Sequence, residues 1–276
     1  METRAQLGAV PRTIVILAVL TLLTALAAGA VVVGSSTAPK LPEPVGAAAN
    51  GLIAYVSDGD IWTVEPDGTQ PRQITSGPET VYQPTWSRDG TRLAFWSGLV
   101  GSPGNLVVVD ADGENAMTVA ETIRPVPGAW PFAGVNDDWF PQHLVWSADS
   151  TEIMYDACTL DDEDHVACGV RLFIAATDGS ASRPVGDPDL HAQGPALSPD
   201  GSRVAYGGGG EMPSEALYLM DWDGSNIERL ETGIPGGQNS WPFSGQSWSD
   251  DGRWIATHDG EGAIWRVGLD ETGELQ

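Results

Sequence analysis

Acid–base catalysis needs a side chain that titrates near neutrality, and this chain offers four: His143, His165, His191 and His258. They are scattered, and no G-x-S-x-G elbow stands anywhere to present an activated serine. One stretch is richer in metal-ligand types. Asp161, Asp162, Glu163, Asp164 and His165 offer hard oxygens and a nitrogen between Cys158 and Cys168, the chain's two cysteines. Consecutive carboxylates diverge from one another, so a solvated charged run is expected here, with no metal and no cofactor. In an exported chain the two cysteines close this loop as a disulfide, a contribution of about 2–3 kcal/mol; a metal site is the alternative reading of the same loop. Asp110-Ala111-Asp112-Gly113 with Asn115, and Asp221-Trp222-Asp223-Gly224 with Asn226, resemble calcium loops. They lack the third oxygen ligand before the glycine and the spacing to a closing Glu, and are read as turns.

The background against which these residues sit is acidic. The 276 residues carry 38 Asp and Glu against 13 Lys and Arg, a formal charge of −25. Beyond Lys40 every base is an arginine. Binding a phosphate backbone by counterion release needs the opposite sign, so nucleic acid is excluded as a natural partner. Apolar residues make up 41%, too rich for a disordered acidic tail, and 34 Gly with 20 Pro point to many tight turns. An all-β body follows.

The first 50 residues are organised differently. Residues 1–12 hold Glu2, Arg4 and Arg12, and Thr13 to Val33 follow without a charge. That run is long enough to cross a bilayer as a helix, and longer than the core of a cleaved signal peptide. The small residues Ala25-Leu26-Ala27 and Ala28-Gly29-Ala30 keep cleavage open as the alternative. Either way the body is exported: a single-pass anchor over 13–34 with residues 1–12 in the cytoplasm, or a secreted or periplasmic chain. Residues 35–50, small and Pro-rich, read as a tether.

From Gly51 to Gln276 the chain repeats. One unit recurs as PTWSRDGTRLAFWS from Pro84, LVWSADSTEIMYDA from Leu144, PALSPDGSRVAYGG from Pro195 and QSWSDDGRWIATHD from Gln246. Trp86, Trp146, Leu197 and Trp248 lead these copies. A second unit recurs five times as an apolar strand running into a turn: IWTVEPDG, LVVVDADG, LFIAATDG, LYLMDWDG and the degenerate IWRVGLDETG. Asp-Gly between apolar strands predicts two-residue hairpins. Four short strands per period of about 50 residues is the pattern of propeller blades.

In these motifs residues 51–276 resemble the TolB-type β-propeller repeats, relatives of the WD-type propellers. Pro195 to Tyr206 and Leu217 to Leu230 carry the resemblance best. It implies a propeller of about five four-stranded blades, six if the ring is completed otherwise. Three departures stand out: Ser150 replaces the turn glycine of one unit, the first unit lacks its Trp-Ser strand, and the last is short of a fourth strand.

In such a fold the repeated turns share one face, while strand 2-to-3 loops and the crossovers between blades share the other. The second face carries the variation. Its crossovers 124–143 and 233–245 share a phrase, Trp130-Pro131-Phe132 and Trp241-Pro242-Phe243. With Trp139 these aromatics form the candidate binding residues for an envelope protein, peptide or glycan. Packing between blades is the alternative role. His143 and His191 precede inner strands of successive blades, an arrangement that resembles propeller lyases and glycosidases, and either would be the base of such an enzyme. A non-enzymatic extracytoplasmic binding module is the first expectation.

Overall fold

The computed structural model describes residues 51–98, 104–121, 143–159, 169–209, 216–234, 245–259 and 263–269. They belong to one unit, Gly46–Gln276. The anchor or signal segment, the tether and the crossover aromatics lie outside the described residues, and among the described residues no helix is long and apolar enough to cross a membrane.

Five antiparallel sheets follow in chain order. Blade 1 is β1 (Ile53–Ser57), β2 (Asp60–Val64) and β3 (Arg72–Gln73). Blade 2 is β4 (Thr80–Trp86), β5 (Arg92–Gly98), β6 (Asn105–Asp110) and β7 (Met117–Glu121). Blade 3 is β8 (Leu144–Trp146), β9 (Glu152–Thr159), β10 (Gly169–Ala176) and β11 (Ser182–Val185). Blade 4 is β12 (Gln193–Leu197), β13 (Arg203–Gly208), β14 (Ala216–Asp221) and β15 (Glu228–Leu230). Blade 5 is β16 (Ser247–Trp248), β17 (Trp254–His258) and β18 (Ile264–Gly268). Each strand pairs with the next in sequence, so the three complete blades are four-stranded meanders. Among the described residues the first sheet holds three strands and the last three.

The Trp-Ser-x-Asp-Gly phrase is a turn with a built-in lock. Ser87, Ser147, Ser198 and Ser249 each donate their Oγ to the Asp two residues on, at 2.6–2.7 Å. Each also accepts the amide five residues on, from Arg92, Glu152, Arg203 or Trp254. Backbone groups that the hairpin would leave open are thereby satisfied, which is why the same residue types return in every blade. The residue after the Asp has positive φ in all four turns: Gly90, Ser150, Gly201 and Gly252. At Gly201 a Cβ would come within 2.5 Å of Ala148 Cβ, so no other residue fits. Ser150 bears the same conformation at φ 61° and gains a contact for it, accepting the Asp89 amide of the preceding blade at 3.3 Å.

The Asp-Gly turns depart from the two-residue expectation. In blade 2 Gly113 N–H donates to Asp110 C=O and Asp110 N–H to Glu114 C=O, with Gly113 at φ 86°. That is a three-residue loop, a type I turn followed by a left-handed residue, and blades 1 and 4 repeat it at Glu65 and Asp221. The two-residue form occurs once among the described residues, at Asp58-Gly59, where both φ are positive and Ser57 pairs with Asp60.

Apolar side chains fill the spaces between sheets. Ile61, Val81, Leu93 and Phe95 join blades 1 and 2; Trp96, Leu106, Trp146 and Tyr155 join blades 2 and 3. Met154, Leu172, Tyr206 and Met220 join blades 3 and 4, and Leu217, Leu219, Ile255 and Val267 join blades 4 and 5. Indoles fasten the inner strands together as well: Trp146 Nε1 donates to Thr85 C=O at 3.0 Å, and Trp248 Nε1 to Ala196 C=O at 2.9 Å.

Candidate functional site

Asp156 lies in the middle of β9, 1% exposed, where an unpaired carboxylate would be costly. Three donors surround it. Its Oδ1 accepts the His143 amide, and its Oδ2 accepts the Gly194 amide and faces His143 Nδ1, each at 3.0 Å. His143 stands at the entrance to β8 and Gly194 in β12, so one buried carboxylate ties together the inner strands of two blades. Gly194 offers its amide because β12 is irregular between Gln193 and Ala196, and Gly194 itself sits at φ 63°.

The His143 side chain is 44% exposed. Burial of part of the ring disfavours its charged form, but the hydrogen bond and the negative charge of Asp156 outweigh that, and its pKa rises above the ordinary histidine value. With Nδ1–H committed to the carboxylate, neutral His143 has Nε2 left as a proton acceptor, a tautomer assigned from this geometry. An oriented, partly exposed imidazole is what a general base requires. His191 is half-buried, and its amide donates to Gly209 C=O at 2.9 Å. No hydrogen bond or ion pair joins it to His143 among the described residues. Asp156 itself escaped the reading of the sequence, since it sits in an apolar strand with no local motif to mark it.

A second feature lies between blades 1 and 2, a cavity of about 360 Å³. Val81, Phe95 and Val107 give it apolar walls, and Asp60, Glu79 and Ser97 line it with polar groups. Ser97 donates to Glu79 at 2.5 Å, while Asp60 accepts from Gln73 and Thr75. Asp60 opens β2 beside the strand 2-to-3 turn, Ser97 lies near the end of β5, and Ser76 to Pro78 form the crossover into β4. The cavity therefore opens at the loop-bearing end of these blades.

The repeated turns at the other end are committed to structure. Asp67, Asp178 and Asp223 accept hydrogen bonds from the residue two positions on, which holds their pKa below the ordinary carboxylate value. Asp251 is drawn down to about 2, first by the Ser249 hydroxyl and then by Arg253. In the two calcium-like loops, Asn115 Nδ2 donates to Asp110 at 2.7 Å and Asn226 Nδ2 to Asp221 at 2.6 Å. An amide proton occupies the direction a cation would need, and among the described residues no group of three or more His, Cys, Asp or Glu is placed to hold a metal. Arg88 reaches across from blade 2 to the Ser198 and Pro199 carbonyls of blade 4, at 3.3 and 3.4 Å.

Trp130, Phe132, Trp139, Trp241 and Phe243 lie outside the described residues, as do Cys168 and Asp161 to His165. Cys158 lies in β9 with Val170 as its backbone partner.

No family model matches the chain. Over 59 residues it is 41% identical to a protein TolB homolog of Chlorobium luteolum, a stretch that covers 20% of this chain and spans 14% of that protein's length. Among solved structures, a protein from Agrobacterium tumefaciens described as a TolB aligns with a TM-score of 0.56 at 14% identity, over 82% of this chain and 76% of that one. TolB from Acinetobacter baumannii aligns with a TM-score of 0.53 at 17% identity, over 82% of this chain and 52% of that one. At such identities the structures speak to the fold. Together with the five sheets and the recurring turn locks, they establish the fold from Gly51 onward as a β-propeller, similar to that of the TolB proteins.

Proposed function

We propose that the protein is an extracytoplasmic binding module, held at the membrane by residues 13–34, whose loop-bearing face captures an envelope protein, peptide or glycan. The observation that carries this reading is the division of labour between the two ends of the blades. One end is a set of near-identical locked turns whose polar groups are satisfied internally. The other bears the cavity between blades 1 and 2 and the long connections of dissimilar sequence, and rigid scaffolds commonly display function on such loops. The likeness to TolB proteins supports a place in the envelope. Trp130, Phe132, Trp139, Trp241 and Phe243 supply the aromatic anchors, and the Cys158 to Cys168 disulfide braces the neighbouring loop. The net charge of −25 disfavours polyanionic ligands. The test is affinity capture from detergent-solubilised envelope and on a glycan array, with the full chain as bait; a ligand retained at physiological salt supports the reading, and none in either format opposes it.

A second reading is favoured by the His143–Asp156 geometry: a carbohydrate-active enzyme of the lyase or glycosidase type with His143 as base. Its test is turnover of neutral and acidic oligosaccharides. Activity abolished by His143→Ala and kept by His191→Ala supports it, and activity unchanged in both variants removes it.

A further inference from the structure

The cavity between blades 1 and 2 is framed by backbone. Val81 N–H donates to Gly59 C=O at 3.0 Å, which pins the start of β4 beside the β1–β2 turn and brings Glu79 to the same opening as Asp60. On the other side β6 and β7 contribute Val107, Met117 and Thr118. The volume of about 360 Å³ lies in the range that encloses small organic groups. Val81 and Phe95, 5% and 3% exposed, give it walls that cover an alkyl chain and ligate no ion.

The charge of the lining is one-sided. Ser97 Oγ donates to Glu79 Oε2, and Asp60 accepts Gln73 Nε2 at 2.9 Å and Thr75 Oγ1 at 3.2 Å. These donors are neutral, so they orient the two carboxylates without compensating either charge. No Lys, Arg or His lines the cavity, and no ion pair reaches Asp60 or Glu79 among the described residues. Two uncompensated carboxylates beside apolar walls select a monovalent cation with an apolar body. A divalent metal needs more oxygen ligands than this pair supplies, and among the described residues no group of three His, Cys, Asp or Glu is placed to hold one.

We propose that the cavity binds a primary alkylammonium group, with the ammonium at Glu79 and Asp60 and its methylene stem against Val81, Phe95 and Val107. An ammonium has three donors, and Glu79 Oε1 and the second lone pairs of the other carboxylate oxygens accept them. A flexible alkyl stem buries its methylenes while the charged head keeps polar partners. Beyond Lys40 the chain has no lysine, so residues 41–276 contain no such side chain to fill the site themselves. The assignment rests on the reading of the loop-bearing face as the binding face, and gives that face one chemistry: the lysine side chain of an envelope protein or peptide, or a small free amine.

The test follows the methyl resonance of Met117, which lines the cavity and is 40% exposed, by NMR of the full chain in detergent, assigned through Met117→Leu. The probes are n-butylammonium chloride, butan-1-ol and sodium butyrate at constant ionic strength. Butylammonium is expected to give a saturable shift, with the alcohol and the carboxylate at least about tenfold weaker. Glu79→Gln keeps an acceptor for Ser97 on an exposed residue, and Asp60→Asn is the second variant; each is expected to weaken butylammonium about tenfold or more, the loss of a charge-assisted hydrogen bond. Butanol binding as tightly as butylammonium, affinity unchanged in both variants, or calcium chloride shifting the resonance at lower concentration than butylammonium overturns the proposal. Nα-acetyl-lysine N-methylamide binding as tightly as butylammonium assigns a lysine side chain, and its exclusion while 1,5-diaminopentane binds assigns a free amine. Envelope capture without butylammonium binding overturns this proposal and keeps the binding-face reading; butylammonium binding without envelope capture does the reverse.

Discussion

Asp156 holds His143 at two points, Oδ1 on its backbone amide and Oδ2 on its Nδ1, both at 3.0 Å. The same Oδ2 takes the Gly194 amide of the next blade. Asp156→Ala strands two amides in a dry junction and is expected to cost about 3 kcal/mol or more of stability, while Asp156→Asn, with one acceptor oxygen left, costs less. Urea unfolding of the two variants gives the order directly.

The pair also sets a pH dependence. The folded pKa of His143 lies above its unfolded value, so the stability it contributes is fully present below about pH 6.5 and is lost as pH rises through the folded pKa. NMR titration of the His143 ring is expected to show a midpoint above the ordinary one. His143→Ala is expected to remove the corresponding fall in melting temperature between mildly acid and mildly alkaline buffer.

Much of the fold was legible in the residues. The apolar runs into a turn marked five blades, and Trp-Ser-x-Asp-Gly marked four of them because the Ser–Asp–amide lock reuses the same residue types. The three-residue form of the Asp-Gly turns was not legible, because Asp-Gly suits both hairpin classes and the choice depends on hydrogen bonds such as Asp110 N–H to Glu114 C=O. His143 was found by its place ahead of an inner strand. Asp156 was not, since burial among apolar neighbours leaves no trace in local sequence. The cavity between blades 1 and 2 arises where Val81 and Phe95 of one blade meet Asp60 of another, a juxtaposition of residues far apart along the chain.

The repeated carboxylates govern the acid limb of stability. Asp89, Asp149 and Asp200 have lowered pKa values through Ser and Thr hydroxyls and backbone amides, and Asp251 falls to about 2. A depressed folded pKa gives stability that is present above the unfolded value, near 3.8, and disappears as pH falls through the folded one. Acid unfolding is therefore expected to steepen between about pH 4 and pH 2. Replacing Asp149 and Asp200 together by Asn is expected to flatten it, as followed by circular dichroism.

The indole bonds between blades carry a further expectation. Trp146→Phe keeps a smaller aromatic ring in the site and leaves the Thr85 carbonyl without its donor, at about 1–2 kcal/mol. Trp146→Ala also empties a site that is 3% exposed, at about 3–5 kcal/mol. Denaturant midpoints separate the two; equal losses would mean that the hydrogen bond, not the packing, holds the blades.

The central claim is that the loop-bearing face binds, and the most direct measurement is ligand capture by the Trp130→Ala/Trp241→Ala double variant of the full chain alongside its melting temperature. Capture is expected to be lost while the melting temperature and far-ultraviolet dichroism stay those of the parent. Capture that persists in the folded double variant would contradict it, and loss of folding with no separate loss of binding would assign these tryptophans to packing between blades.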